Sequence, residues 1–461
     1  MDRRQFLAAS TGLLAGCAGH GVPNRPSTAS DDDRATLDDF PAFDPEPTSD
    51  WSRPEDPPAW ERAADERIER HRRSDVTVEV VRDGDPVSDA AVRLRLQHHA
   101  HDFSTAYNVA RHRSSDPGSP YRRWVHRLFN EAVFENAYKW RQWTSPHEQE
   151  HAHAVIDFLH AHDVEVAGAP VVWQRDDTDA LPSAVWDAHE ADDEERLRSL
   201  IDEHVRSLVG HNDRAHDVTD WILLNEQLGH HVLTDELSDA PPTRAPPLRR
   251  WFDIARDAAP DATLAVNDYD VLTCDRSHHR DRYATLVTYL LGGDAPPDEV
   301  GFQAHVMGPN ERVSAAEQRR RLDRFADLGD LDLVVSEFDT PGIDDEEAAG
   351  DYLYRFLKTA YSHPASAGFR LWGYWDEQHW KNDAPLFRAD WSKKQGYHAY
   401  ADLVFEQWFT DARGTTDDAG EFATTADLGR YALRVADGTN AISDVRAVTD
   451  PDGETRLRVE L

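Results

Sequence analysis

The sequence predicts an α/β protein: a (β/α)8 TIM barrel with a small accessory β module formed by N- and C-terminal flanking strands. Three observations predict it. Eight short apolar runs alternate with helix-length amphipathic stretches, which favours a barrel over an open doubly wound sheet. Strand-period segments flank that series at both ends. The 461 residues also exceed the roughly 250 that one barrel needs, leaving room for further modules.

The eight runs cover residues 103–108, 131–134, 164–173, 218–226, 263–268, 300–306, 331–339 and 368–376. Amphipathic stretches such as 194–210, 315–326 and 346–362 lie between them. Before the series, residues 76–81 alternate at strand period, 82–86 read as a turn, and 91–96 form a second strand. After it, 420–422, 429–435 and 455–459 are short strands between Asp/Gly turns. The expected organisation is therefore an N-terminal β element at 59–102, a catalytic barrel at 103–408 and a C-terminal β element at 409–461. The two end elements are expected to make one module.

The first 58 residues read differently. Arg3-Arg4-Gln5-Phe6-Leu7 precedes an apolar stretch at 7–18 that is too short to span a bilayer. It resembles a twin-arginine export signal. Leu14-Ala15-Gly16-Cys17 then resembles a lipobox, with Cys17 as the lipidated residue. Residues 1–17 are thus expected to be a signal. Residues 18–58, rich in Asp, Pro, Ser and Thr, are expected to be a disordered acidic tether. The expected location is the cell surface, with a membrane approached only through a lipid anchor.

Net charge is −37, from 87 acidic and 50 basic residues, of which five are Lys. Phosphate neutralisation needs the opposite sign, so general nucleic-acid binding is excluded. Such a surface repels itself unless salt screens it; at about 1 M the Debye length is only ~3 Å. Adaptation to high salt is the expectation. Of the two cysteines, Cys17 lies in the leader and Cys274 stands alone, so a mature domain has no internal disulfide. With 14 Trp and 39% apolar residues, a sizeable core is available.

Barrel chemistry sits at the C-terminal ends of strands. Strand four ends in Asn225-Glu226 and strand seven in Ser336-Glu337-Phe338-Asp339. Gln303 and His305 on strand six are two apart and face the same way. Trp173 ends strand three, Trp372 lies on strand eight, and Trp380 follows it. Glu135, Asn136 and Lys139 follow strand two. Two carboxyls facing one cavity suit glycoside hydrolysis, one protonated and one ionised. Amide, imidazole and ammonium groups suit sugar hydroxyls, and indoles suit pyranose faces. A single strand-end Glu is usually a salt-bridge partner. Six strand ends carrying such groups together have no structural need behind them.

These segments resemble glycoside hydrolase family 10, the xylanase family. The resemblance runs from Phe103 to Trp408. It rests on Glu135-Asn136-Ala-Tyr-Lys139-Trp140, Trp221-Ile-Leu-Leu-Asn225-Glu226, Asn267-Asp268-Tyr269, Gly301-Phe-Gln303-Ala-His305, Ser336-Glu337-Phe-Asp339, Trp372-Gly373 and Lys394-Gln-Gly-Tyr397. It implies Glu226 as acid/base and Glu337 as nucleophile. It implies that Asn225, Gln303 and His305 orient the sugar and the nucleophile. Asn136 and Lys139, with Glu135 nearby, would bind adjoining sugars; Trp173, Trp372 and Trp380 would wall the cleft. The implied activity is retaining endo-β-1,4-xylan hydrolysis of a xylan-type polysaccharide by a monomer, with no cofactor and no metal. The alternatives are another β-glycosidase specificity, or a carbohydrate-binding surface protein with a weakened site.

Strand three departs from the family pattern. Gly168-Ala169-Pro170-Val-Val-Trp173-Gln174 stands where members usually read Gly-His-Thr-Leu-Val-Trp-His. Ala169 cannot offer the hydrogen bond of that first His, a loss of roughly 1–3 kcal/mol. Gln174 and Asp176 also differ. After Glu226 the chain reads Gln-Leu-Gly-His-His rather than a small residue. Two decoys are set aside. His147-Glu148-Gln149-Glu150-His151 matches HExxH, but Ser145, Pro146 and Glu148 mark it as a helix start. His98, His99 and His101 are read as non-metal residues.

Overall fold

The structure is a computed structural model and describes residues 35–40, 42, 46–176, 180–448 and 453–461. The expected export leader with Cys17, and the expected tether up to residue 34, lie outside the described residues. Two compact units emerge: Asp65–His101 with Val404–Leu461, and Pro47–Ala64 with Asp102–Leu403.

The first unit is a pair of four-stranded sheets built from both ends of the chain. Arg73–Arg82 pairs antiparallel with Glu421–Asp427 and parallel with Glu454–Glu460. Ala91–His99 pairs with Asp411–Thr415 and with Gly429–Ala436, which in turn pairs with Ala441–Val448. Period-2 alternation sends Val76, Val78 and Val80 from one sheet and Val92, Leu94 and Leu96 from the other into a shared core with Tyr431, Leu433 and Val435.

The second unit is the closed barrel. Its eight parallel strands are Asp102–Tyr107, Glu131–Phe134, Glu165–Gly168 continued by Val172–Trp173, Asp220–Asn225, Thr263–Asp268, Glu299–His305, Asp332–Asp339 and Ser366–Leu371. Each pairs with its neighbours, and strand eight pairs with strand one, Gly368 opposite Asp102. Strand three is broken at Ala169-Pro170-Val171, and both halves pair with strand four. Gly168 precedes the break because a Cβ there would lie 2.1 Å from the Trp221 ring. The helices between strands follow the predicted periodicity; Ala315–Ala326 buries one face, and Glu346–Tyr361 is buried nearly all round in its second half. Among the described residues no helix is long and apolar enough to cross a membrane.

Two stretches differ from the sequence expectation. The tether was expected to run to residue 58, but residues from 47 onward are held against the barrel. Trp51 stacks on Tyr354 at 5.4 Å, and Arg53 pairs with Asp402 at 2.7 Å. The expected β element from residue 59 opens with a helix, Ala59–His71. Its Glu61 meets Lys358 at 2.8 Å in a buried pair. Low apolar content hid both: one Trp and two ion pairs carry contacts that periodicity cannot register.

The barrel interior is layered. Glu131, Asp220 and Glu299 begin strands two, four and six; Arg370 on strand eight pairs with the first two and feels the charge of the third, the even-strand arrangement of a barrel layer. Small apolar side chains follow: Ala106, Val133, Ala167, Ala169, Ile222 and Ala265. Beyond them, at the strands' C-terminal ends, a cavity of about 410 Å³ opens.

Candidate active site

Strand four delivers Asn225 and Glu226 to the cavity. Glu226 takes a left-handed backbone with φ 54°, a conformation costing of order 1–3 kcal/mol for a non-glycine residue. It is held there by its own N–H, which donates to the Asn267 carbonyl at 2.9 Å. The following Leu228 N–H donates to Asp268 Oδ2 at 3.1 Å. Gly229 then passes so close to Tyr269 that a Cβ would lie 2.3 Å from its hydroxyl.

Strand seven delivers Glu337. Its Oε1 accepts from Asn267 Nδ2 at 3.2 Å, and its Oε2 meets His305 Nε2 at 3.3 Å. The two carboxyls are joined through amides. Gln303 Nε2 donates to Glu226 Oε1 at 2.9 Å and approaches Asn225 Oδ1 at 3.4 Å. Asn267 Nδ2 donates to that same Asn225 oxygen at 2.8 Å, and Ser336 Oγ donates to Asn267 Oδ1 at 2.6 Å. Short polar side chains on four neighbouring strands thus fix both acids, a precision that loops alone rarely give.

The remaining expected residues are placed as follows. Glu135, Lys139, Trp173, Trp372 and Trp380 line the cavity with the residues above. Lys139 Nζ lies 5.1 Å over the Trp173 ring. Asn136 does not line the cavity; its Oδ1 accepts from Lys139 Nζ at 2.7 Å and aims that ammonium. Trp380 is 46% exposed, and its indole N–H donates to Asp339 Oδ2 at 2.6 Å.

The electrostatics are uneven. His305 lies between Glu337 and Asp339, at 3.3 and 2.9 Å. Burial opposes its charge, but the two carboxylates outweigh burial and push it up to about 10. Burial also opposes charge on Asp339, yet His305 and His379 hold it well below the usual carboxylate range. Burial pushes Glu337 up and the Glu226 charge adds to this; His305 and Asn267 recover only part. Glu226 is largely buried, which opposes its charge. Its contacts with His230 at 3.3 Å and Gln303, helped by a Trp173 indole short of hydrogen-bond geometry, hold it below its ordinary value. Burial lowers Lys139 despite nearby Glu135.

Several residues here were not singled out from sequence as site residues. Arg175 sits 4.9 Å over Trp173, and Tyr269 and Met307 complete the lining. His230, four residues after Glu226, was noted only as part of an unusual loop. Gln174 does not face the cavity. It is 1% exposed, donates to Gln227 Oε1 at 2.5 Å, and accepts from the Thr234 N–H at 2.8 Å. The two departures at 174 and 227 therefore answer each other, and together they brace the loop that carries His230. Ala169 does line the cavity, within the break in strand three. The HExxH segment forms a helix start, Pro146–His160, with Ser145 capping Glu148.

Comparisons with known proteins agree with this geometry. Residues 93–403 match the sequence profile of Glycosyl hydrolase family 10. An anti-sigma-I factor from Acetivibrio thermocellus is 28% identical over 388 residues, covering 82% of this chain and 46% of that protein. Endo-1,4-beta-xylanase 1 from Arabidopsis thaliana is 24% identical over 362 residues, covering 77% and 35%. The chain thus spans less than half of the length of these curated relatives. The crystal structure of native xylanase 10B from Thermotoga maritima shares the fold at TM-score 0.56 and 22% identity, covering 67% of this chain and 96% of that one.

Proposed function

Because the chain belongs to glycosyl hydrolase family 10, we propose that it is a retaining endo-β-1,4-glycanase acting on xylan. The observation that carries this reading is the pair of carboxyls, Glu337 buried and Glu226 largely so, fixed in one cavity by a shared amide relay. Glu337 attacks the anomeric carbon while Glu226 protonates the leaving glycosidic oxygen. Water, deprotonated by Glu226, then releases the glycosyl-enzyme with net retention.

In the free protein the two carboxyls stand in the reverse order from these roles, Glu226 lowered and Glu337 raised. A leaving-group sugar that takes His230's place at Glu226 Oε2 removes a contact that lowers it. Burial then raises Glu226 toward the acid role, and Glu337 keeps its partner His305. Once Glu337 is esterified its charge is gone, which lets Glu226 fall back to act as base.

A second reading is a carbohydrate-binding surface protein with a weakened site. Ala169 favours it, since strand three offers no hydrogen bond to the reacting sugar there. Sugar release from xylan, cellulose and mixed-linkage glucan, measured from about 0.1 to about 3 M salt where screening differs most, separates the two. Release from xylan above the others is the expected outcome; binding without release supports the second reading. The proposal extends to a monomer exported by the twin-arginine route, anchored through Cys17, and adapted to high salt. Unchanged melting at low salt would remove the last part.

A further inference from the structure

Away from the cavity, three histidines from two barrel helices converge. His153 lies midway along Pro146–His160. His211 and His216 lie in the last turns of Glu194–His216. One ring nitrogen of each can be chosen so that all three lie within 4.8 Å of one another. The His153 and His216 rings stack at 3.7 Å with planes 20° apart. His211 stands 5.5 and 5.7 Å from them, centroid to centroid. Nε2 of His153 is buried with no hydrogen-bond partner. A buried nitrogen left in that state is unfavourable, and an ion would satisfy it.

We propose that His153, His211 and His216 bind one divalent transition-metal ion of the imidazole-preferring kind, Zn²⁺, Ni²⁺ or Cu²⁺, and that it clamps the second barrel helix to the third. Three imidazoles are a donor set for such ions, with a fourth position left for water. Asp157, one turn beyond His153 and exposed, adds negative charge that acts on both His153 and His216. Bonds of about 2.0–2.1 Å in a tetrahedron place nitrogens about 3.3 Å apart. The nitrogens therefore need to close by at most about 1.5 Å from their 4.8 Å limit. His211 is exposed and gives the ion an entry path, while the other two are half-buried.

The position excludes a part in the cavity chemistry. His216 ends the helix that feeds strand four, which begins at Asp220. The cluster therefore lies toward the strands' N-terminal ends, and the cavity lies at the other. The ion's effect is on the barrel's stability, because it ties His153 of one helix to His211 and His216 of another, residues 58 or more positions apart.

The test uses the full chain without a polyhistidine tag. Titration with Zn²⁺ alone is expected to show one ion per chain, weakened more than tenfold by His153→Ala or His216→Ala. His211→Ala is exposed enough to fold normally and is expected to weaken binding similarly. Co²⁺ in place of Zn²⁺ is expected to give the visible absorption of a four-coordinate nitrogen site. A hundredfold excess of Zn²⁺ over its dissociation constant should raise the melting temperature by several degrees in the parent chain but not in His216→Ala. A rival pair, His147 and His151, has ring centroids 3.8 Å apart on the same helix. His147→Ala should leave Zn²⁺ binding unchanged. No uptake, or uptake removed by His147→Ala and kept by His153→Ala and His211→Ala, overturns the proposal.

Discussion

The two ends of the barrel interior both bury acidic side chains, and they treat them in opposite ways. At the strands' N-terminal ends, Arg370 donates to Glu131 at 2.8 Å and meets Asp220 at 3.2 Å, all three nearly inaccessible. Burial opposes the Arg370 charge, but Glu131, Asp220 and Glu299 outweigh it and raise its pKa above the usual value. At the C-terminal ends, Glu226 has neutral amides and a half-buried histidine, and Glu337 shares one histidine with Asp339. A guanidinium ends a carboxylate's chemistry by fixing its charge. Amides and imidazoles leave the proton free to move. The layer of small apolar side chains between keeps the two ends separate.

Removing the cavity acids is the largest break. Glu226→Gln and Glu337→Gln are each expected to cut sugar release from xylan by roughly a thousandfold or more, with melting unchanged or slightly raised. A mutant that keeps full activity would sink the assignment of roles. Next comes the opposite end. Arg370→Met strands Glu131 and Asp220 without their cation and should cost about 3–5 kcal/mol in denaturant melts. Adding Glu131→Gln and Asp220→Asn should recover most of it. A single Arg370→Met chain that melts like the parent would show that this layer carries no structural role.

Smaller effects sharpen the cavity end. Ala169→His returns a hydrogen-bonding side chain to the break in strand three. If the reacting sugar is the one the family's pattern serves, efficiency should rise by the equivalent of about 1–3 kcal/mol. A fall would mean the cavity is shaped around Ala169 for another sugar. His230→Ala should move a pH limb rather than a maximum rate. Burial raises Glu226 and His230 is among the contacts that lower it, so losing His230 raises its pKa in the free protein. Glu226 must hold its proton to act as acid, so the basic limb of kcat/KM should shift to higher pH. An unmoved limb would remove His230 from the account of how Glu226 is set.

Much of the cavity was readable in sequence because strand ends announce themselves. Glu226 and Glu337 each close an apolar run, and Gln303 and His305 sit two apart on a third. Asn136 follows a strand, as Lys139 does, but only the lysine lines the cavity, and Asn136 accepts a hydrogen bond from its ammonium. Gln174 read only as a departure from the family pattern, and its partner Gln227 lies 53 positions away. Residues 47–58 looked like tether because Trp51 is one aromatic among polar neighbours, and its partner Tyr354 is on the far side of the chain.

The sequence by itself determined the alternation of strands and helices, the pairing of both chain ends into one β module, and which residues stand at strand ends. Those features follow from periods of 2 and 3.6 and from local turn and cap chemistry, all written within a few residues. Tertiary structure alone decided the Arg370 layer, the Gln174–Gln227 brace, the proton balance between Glu226 and Glu337, and the meeting of His153 with His211 and His216. Each of these depends on distances between side chains that the chain separates widely, and on burial, which only the closed barrel imposes.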